Sequence, residues 1–183
     1  MMAPDQEELL LTELRDPANK EKSFRKLMKQ FQQPVYYFVR RMLIDHDDTN
    51  DVVQNTFVKA WKGLDGFRGE CKLSSWLFRI ARNESYTFIN RSKKIAGIPL
   101  DDLEERLPGH LSNDALYSGD EIAQKLDAAI ATLPEKQKEV FILKYYQDLP
   151  YEEISEITGT SVGGLKANYH HAVNKIKAIL ELD

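Results

Sequence analysis

The stretch that decides the fold is YEEISEITGTSVGGLKANYHHAVNKIKAIL, residues 151–180. Its first part places Ile154 and Ile157 three residues apart, as on one side of a short helix. Gly159 breaks that helix, because glycine readily adopts the positive φ found at helix ends. Ser161 is then suited to cap a second helix by accepting a hydrogen bond from its first free backbone amides. The stretch therefore predicts a helix, a glycine-bearing turn and a longer helix.

The longer helix has two unlike faces. Its apolar stripe, at helical spacing, consists of Val162, Leu165, Tyr169, Ala172, Val173, Ile176 and Leu180. Its opposite face is small, cationic and amide-bearing, with Gly163, Lys166, Ala167, His170, His171, Asn174 and Lys177. Such a helix suits the DNA major groove, because small residues let the backbone approach base edges. The pattern predicts a DNA-binding helix-turn-helix, although two packed helices of an ordinary α-domain are an alternative reading.

Composition limits how such a protein would bind DNA. The chain has 183 residues, a formal net charge of −4 and a pI of about 5.6, which allows one or two small domains. Phosphate affinity comes from Lys and Arg, so an acidic chain is expected to bind DNA locally or with a partner's help. The single cysteine, Cys71, cannot form a disulfide framework. No signal-peptide pattern and no apolar run near the ~20 residues of a membrane span occurs, so we expect a soluble, cytoplasmic protein.

The remaining sequence predicts further helices and no strand. Four are expected in the N-terminal part, at about 5–15, 18–44, 49–63 and 73–94, with Asp5 capping the first. Pro34 lacks an amide hydrogen and is expected to kink or split the second. The acids at 45–48 precede the third helix and are expected to serve its dipole rather than a metal ion.

The third and fourth helices present polar faces. Asp51, Gln54, Asn55 and Lys59 look outward from the third, whereas Phe57 belongs to its apolar stripe. A glycine-punctuated loop follows, suited to gripping a ligand or an unstacked base. The fourth helix repeats polar residues every three or four positions, at Lys72, Ser75, Arg79, Arg82, Tyr86, Asn90 and Lys93. Residues 72–94 carry six basic side chains and one acidic one, a net charge of +5. A concentrated basic face with an interleaved aromatic favours a phosphate track with a stacking platform, whereas arginines that only solvate the helix are the alternative.

A change in composition divides the chain into two domains. Residues 95–122 contain seven acidic side chains and one arginine, a net charge of −6, with few large apolar residues. Such a segment cannot bury a core and predicts a flexible acidic linker. The second domain is expected to open with a helix at about 120–132 that turns Ile122 inward, followed by a helix beginning at Pro134. The predicted fold class is therefore all-α: two small helical domains joined by a flexible acidic linker, the C-terminal one with a helix-turn-helix.

Three long segments together resemble a known family, the small two-domain sigma factors of the sigma-70 superfamily, called the extracytoplasmic-function (ECF) type. They are DDTNDVVQNTFVKAWKGLDGFRG, KLSSWLFRIARNESYTFINRSKK and LPEKQKEVFILKYYQDLPYEEISEITGTSVGGLKANYHHAVNKI. They occur in order on both sides of the acidic segment, and the resemblance covers nearly the whole chain.

The resemblance implies a sigma factor that binds core RNA polymerase and directs promoter-specific initiation, with no catalytic residue, cofactor or metal. Residues 1–95 resemble the domain that binds polymerase and reads and melts the minus-ten element. Residues 96–122 are the linker, and residues 123–183 resemble the domain that reads the minus-thirty-five element as duplex. An anti-sigma factor is a further expected partner, and neither a small-molecule substrate nor direct membrane insertion is expected.

The family's functional positions map onto particular residues of this chain. Polymerase docking is expected at Asp51, Gln54, Asn55 and Phe57. Minus-ten DNA is expected at Lys72, Ser74, Ser75, Arg79, Arg82, Asn83, Tyr86 and Asn90, with a flipped base held by the loop 69–75. Minus-thirty-five DNA is expected at Lys166, Ala167, Asn168, His170, His171 and Asn174.

The sequence departs from the family pattern at several of these positions. Many members carry arginine where Asn168 and His171 stand, so a bidentate guanidinium contact to guanine is absent there. Thr87 occupies a position where aspartate is frequent. His170 and His171 point about 100° apart on a helix, which argues against a shared metal ion.

Two other classes of protein compete with this interpretation. A free-standing helix-turn-helix regulator would bind an operator without polymerase, and the acidic balance and second basic helix speak against it. An enzyme is disfavoured because no nucleophile with its base, metal-ligand spacing or phosphate-binding glycine loop occurs.

Overall fold

The computed structural model describes residues 4–43, 46–96 and 121–181. Within these residues every regular element is helical, which confirms the all-α class and its two small helical domains. The N-terminal domain contains α1 (Pro4–Arg15), α2 (Lys20–Leu43), α3 (His46–Gly63) and α4 (Leu73–Ala96), with a 3₁₀ turn at Leu64–Gly66. The C-terminal domain contains α5 (Glu121–Ala131), α6 (Glu135–Phe141), α7 (Tyr151–Thr158) and α8 (Val162–Glu181), with a π-helical turn at Ile142–Tyr146. Most of the acidic segment predicted as a flexible linker, residues 97–120, lies outside the described residues.

Helix α2 is the centre of the N-terminal domain, and α1, α3 and α4 pack against it. Its inward residues, three or four apart, include Leu27, Val35 and Phe38, all with no exposed surface. The Phe38 ring meets Phe78 of α4 edge to face, with ring centroids 5.6 Å apart. Burying each such side chain contributes roughly 1.5–3 kcal/mol, so this stripe is what holds the four helices together.

The helix boundaries correct several predictions. Helix α2 continues through Pro34 as one helix rather than splitting there. Helix α1 already begins at Pro4, one residue before Asp5. Helix α3 begins three residues earlier than predicted, at His46, which places Asp47 in its first turn, where a negative charge suits the helix dipole.

In the C-terminal domain α5, α6 and α7 pack around α8. Ile154, Ile157 and Leu165 are buried as their spacing predicts, but Ile122 is 75% exposed rather than inward. Residue 122 lies in the first turn of α5, beyond the reach of the core that buries Ala129 and Ile130. Pro134 precedes α6 as its N-cap rather than forming its first turn.

The two domains pack against each other. Helix α7 lies on α4, and α5 and α6 contact α2. The sequence left their relative arrangement open. This contact brings the acidic residues of the C-terminal domain onto the basic helix of the N-terminal domain, as described below.

Candidate nucleic-acid interfaces

The turn before α8 has the geometry that the sequence predicts. Gly159 follows α7 with φ 72°, in the left-handed region that glycine adopts without strain. The Ser161 hydroxyl accepts a hydrogen bond from the Gly164 amide over 3.3 Å, which caps α8. A side chain at Gly164 would lie 3.2 Å from the Thr160 methyl carbon, so the Thr160 side chain would have to shift slightly to admit it. The positive φ of Gly159 and the Ser161 cap therefore determine the turn between α7 and α8.

The predicted DNA-facing side of α8 is open to solvent. The exposed residues are Lys166, Ala167, His170, His171 and Asn174, and Asn168 is half-buried beside them. The Asn174 amide nitrogen lies 2.9 Å from Nε2 of His170, one helical turn away. The face is small and polar, as a helix entering a DNA groove requires.

An aromatic cluster supports α8 from behind. The Tyr169 ring stacks on Phe141 with centroids 5.8 Å apart and meets Tyr151 of α7 at 6.3 Å. Burial raises the pKa of the Tyr169 hydroxyl. The ammonium groups of Lys144 and Lys166 lie 5.4 and 5.8 Å from the Tyr151 ring centroid, close enough for cation–π attraction. Tyr151 thus helps to fix where Lys166 stands on the exposed face.

Helix α4 begins where the sequence predicts, so the predicted base-holding loop, residues 69–75, overlaps its first turn. Helix α4 begins at Leu73, whose amide donates to the carboxylate of Glu7 in α1. Ser74 and Ser75 therefore lie in the first helical turn with exposures of 8% and 1%, rather than in an open loop. Arg15 of α1 donates to the backbone carbonyl of Arg68 over 3.3 Å and helps to hold the preceding loop. The two serines are candidates to line a pocket wall, but they are not an exposed DNA-binding edge in this arrangement.

The basic face of α4 is occupied by carboxylates of the C-terminal domain. The Arg82 guanidinium donates to the Glu139 carboxylate on α6, and the Tyr86 hydroxyl donates to the same carboxylate over 3.3 Å. Lys93 pairs with Glu135 over 2.5 Å. Basic residues that were predicted to meet DNA phosphates therefore meet protein acids instead.

A further ion pair lies at the start of the helix, where Lys72 pairs with Glu153 of α7. That hydrogen bond raises the pKa of Lys72. Asn83 and Asn90 lie on exposed positions of α4, and Arg79 is half-buried. Acids of the C-terminal domain therefore pair with three charged positions of this face, of which Lys72 stays exposed, and two of its amides are exposed.

Burial is the largest influence on the pKa of Glu139, the acid at the centre of this contact. Glu139 is only 3% exposed, and its burial raises the pKa of its carboxyl although Arg82 and Tyr86 pull it down. Burial raises the pKa of the Tyr86 hydroxyl as well. The Arg82–Glu139 pair thus holds a carboxylate that would be better solvated in water, so the pair itself adds little net stability.

The predicted polymerase-binding face is on α3. Asp51, Gln54 and Asn55 are exposed along it, whereas Phe57 is 5% exposed and packs in the core. Phe57 therefore supports the helix from inside rather than offering surface to a partner. Beside this face, between α2 and α3, lies a cavity of about 400 Å³ lined by Lys29, Gln32, Gln33, Tyr36, Tyr37, Asn50 and Val53.

One group of interdomain residues was not anticipated from the sequence. Arg41 of α2 donates to Asp127 of α5 over 3.1 Å, and its guanidinium lies 3.7 Å from the ring centroid of Tyr146. The Tyr146 hydroxyl donates to the same Asp127 carboxylate over 3.1 Å. Spacing along one helix cannot reveal a partner 86 residues away, so no sequence signal pointed to this pair.

The described residues contain neither a metal site nor a membrane-spanning helix. Across residues 4–43, 46–96 and 121–181, no group of three or more His, Cys, Asp or Glu side chains is arranged to hold a metal ion. Among the helices of those same ranges, none has the length and apolar character to cross a bilayer.

Matches to known families account for both domains. Residues 27–95 match the family model "Sigma-70 region 2", and residues 117–176 match "Sigma-70, region 4". The class is therefore that of sigma-70 factors, the regulatory subunits of bacterial RNA polymerase, and no enzyme family is indicated.

Relatives that match over more than four-fifths of both chains identify the family within this class. The chain is 31% identical over 157 residues to RNA polymerase sigma factor SigZ of Bacillus subtilis, covering 85% of each chain. It is 30% identical over 160 residues to the ECF RNA polymerase sigma-E factor of Escherichia coli, covering 83% of each. The chain belongs to the ECF RNA polymerase sigma factors and directs transcription initiation.

A solved structure supports the same conclusion. The sigma factor RpoE of Bartonella quintana, in complex with the anti-sigma factor NepR, matches with a TM-score of 0.74 and 25% identity over 88% of this chain and 99% of that one. CnrH, in complex with the cytosolic domain of CnrY, shares the fold with a TM-score of 0.72 at 22% identity.

Proposed function

We propose that this sigma factor reads a minus-thirty-five element as duplex with α8 and captures the melted minus-ten strand on α4. The observation that carries the first half is the exposed face of α8, from Lys166 to Asn174, set at the end of a capped turn. The second half rests on the net charge of +5 over residues 72–94, in a chain that is acidic overall.

The division of labour follows the two domains. Residues 1–95 bind polymerase and melt the minus-ten element, and residues 123–183 read the upstream element. Residues 96–122 connect these two domains. Asp51, Gln54 and Asn55 are exposed on α3 and form the polymerase-docking face. The cavity between α2 and α3 adjoins this face and offers a recess for a side chain of the partner.

No covalent chemistry is needed for this function. Docking on polymerase holds both DNA-reading helices at a fixed separation, so the second DNA contact benefits from a high effective concentration. Unstacking a base costs a few kcal/mol, offset by stacking on an aromatic side chain and by a pocket for the extruded base. Tyr86 is the aromatic side chain placed among the basic residues of α4.

An anti-sigma factor completes the set of proposed partners. The sigma factor RpoE of Bartonella quintana, which has this fold, is in complex with the anti-sigma factor NepR. We expect a protein of that kind to hold this chain inactive until a signal releases it.

The test is run-off transcription with purified core polymerase on a library of promoter fragments. The proposal expects initiation that depends on this chain and on two short elements spaced upstream of the start. Lys166→Ala should weaken selection of the upstream element and leave polymerase affinity intact. A free-standing regulator would instead protect an operator from nuclease without polymerase, and that outcome would overturn the proposal.

A further inference from the structure

The basic face of α4 carries the predicted minus-ten contacts, and in this structure acidic residues of the same chain bind to it. Three of its positively charged side chains reach acids of the C-terminal domain: Lys72 reaches Glu153, Arg82 reaches Glu139 and Lys93 reaches Glu135. The acids come from two different helices, α6 and α7, and so form a surface rather than a single contact. We call Glu135, Glu139 and Glu153 the acidic face.

The acidic face imitates the chemistry of a nucleic-acid strand. Glu139 accepts hydrogen bonds from a guanidinium and from a tyrosine hydroxyl, as a phosphate oxygen does. Tyr86, the stacking aromatic of the proposed function, is only partly exposed at this position, and the Arg82 guanidinium lies 4.8 Å from its ring centroid. A DNA strand and the acidic face therefore cannot occupy α4 together.

A second contact anchors the two domains at another place. Arg41 and Asp127 have side-chain exposures of 16% and 7%, and the Arg41 guanidinium also stacks over Tyr146. This cluster joins α2 to the C-terminal domain and includes no residue of the proposed minus-ten surface. It holds the acidic face near α4 without taking part in DNA recognition.

The seam between α4 and α7 is incompletely satisfied. Ser75 Oγ and Arg79 Nε on α4, and Glu153 Oε2 on α7, are buried atoms without a hydrogen-bond partner among the described residues. Each such atom has lost its hydration without gaining a hydrogen bond in return, which is unfavourable. Glu153 is thus held through one carboxylate oxygen, which accepts from Lys72, while its other oxygen lacks a partner, a cost that opening relieves.

We propose that the acidic face of the C-terminal domain is a built-in competitor for the minus-ten strand, so that the free chain masks α4 until the domains are drawn apart. This rests on the proposed function of α4. The masking proposal extends that function, because the C-terminal domain of the free chain then blocks α4 from binding single-stranded DNA.

The first test reverses two charges of the acidic face in the full-length chain, Glu139→Lys with Glu153→Lys. A lysine at position 139 would be buried beside Arg82, and the repulsion between these like charges should separate the two domains. The matched control is Glu121→Lys with Glu152→Lys, two exposed acids with the same change in net charge. Binding of a fluorescent single-stranded oligonucleotide, without polymerase, should tighten at least about tenfold over the control, and small-angle scattering should give a larger radius of gyration.

The second test adds no positive charge and touches neither surface. Arg41→Gln removes the anchor, and Arg25→Gln, at an exposed position of the same helix, is its control. Arg41→Gln should tighten oligonucleotide binding about threefold or more, whereas Arg25→Gln should not. Circular dichroism shows whether each variant keeps its helices, so a misfolded reversal variant leaves the decision to this second pair.

The outcomes separate the two claims. Folded variants that bind the oligonucleotide no better than their controls overturn the masking proposal, whether or not they expand. The proposed function is judged separately, by whether the unaltered chain with core polymerase initiates at promoters. Failure there, with tighter oligonucleotide binding by the opened variants, removes the promoter-reading assignment and leaves the masking contact in place.

Discussion

Helices α4 and α8 are both proposed to read DNA, yet the reading face of α4 is paired with protein acids and that of α8 is exposed to solvent. The reading face of α8 is exposed at Lys166, Ala167, His170, His171 and Asn174, and its contacts among the described residues are two ring contacts and one intrahelical hydrogen bond. The face of α4 is covered by carboxylates at Lys72, Arg82 and Lys93. A duplex can approach α8 in the free chain without any rearrangement, whereas a single strand reaches α4 only after the domains separate. The order of events at a promoter is therefore expected to follow from which face is open first.

The largest expected effect comes from removing the central cation of α4. Arg82→Ala should lower open-complex formation by the polymerase holoenzyme about tenfold to a hundredfold, the range of a lost arginine contact to nucleic acid. Permanganate footprinting of the melted region measures this. Arg91→Ala, an exposed arginine of the same helix, is the control. Equal losses in the two variants would mean that charge alone, and not the position of Arg82, matters.

Lys166→Ala tests the open face and should have a smaller effect. Binding of upstream duplex should weaken about three- to tenfold, both in the free chain at low salt and in the holoenzyme, because this face needs no opening. Lys177→Ala, farther along the same exposed side, is the matched control. Fluorescence anisotropy against salt concentration gives both numbers. An effect seen only with polymerase would show that α8, like α4, is masked in the free chain.

The turn that presents α8 should tolerate substitution at one glycine and not at another. Gly159→Ala forces a side chain into φ 72° and should lower the free energy of unfolding by about 1 kcal/mol. Gly163→Ala places its methyl group in open space within a helix and should raise that free energy by up to about 1 kcal/mol. Urea denaturation followed by circular dichroism compares them. Similar stabilities would contradict the turn geometry described above.

The smallest expected effect is a dependence of closure on pH. Burial raises the pKa of Glu139, with Glu135 adding to the rise and Arg82 and Tyr86 opposing it. A raised pKa in the closed arrangement means that closure binds protons, so closure strengthens as the pH falls from neutral toward the ordinary pKa of a glutamate and weakens as it rises through the raised pKa.

Glu139→Gln imitates the protonated acid and is the variant that isolates this effect. It should remain closed and lose the pH dependence, unlike Glu139→Lys. The ratio of closed to open chains should change about threefold or less over this range in the unaltered protein, as read from interdomain energy transfer. A Glu139→Gln protein that opens at pH 7 would show that the carboxylate charge itself holds the seam.

The sequence predicted more of the helices than of their contacts. The capped turn before α8 and the opposed faces of that helix follow from local chemistry at Gly159 and Ser161, and both were found. Ile122 was misplaced because helical spacing identifies a stripe but not where the core ends. Ser74 and Ser75 were assigned to the base-holding loop 69–75 although the predicted helix begins near residue 73, and nothing local shows that Glu7 caps α4.

The covering of α4 could not be derived from the sequence. Glu139 and Arg82 are 57 residues apart, and their pairing depends on how two separately folded domains meet. The charge pattern of the sequence pointed only to residues 95–122, with their net charge of −6, as the acidic part of the chain. In the described residues the competing acids belong to α6 and α7 of the C-terminal domain.

The most direct measurement of the central claim is energy transfer between dyes on the two domains, in the free chain and on core polymerase. With Cys71→Ser, cysteines at the exposed positions Glu8→Cys and Lys177→Cys carry the dyes. High transfer in the free chain that falls when core polymerase is added is the predicted result. Transfer that stays the same in both states would contradict the claim that the domains must separate before α4 can bind DNA.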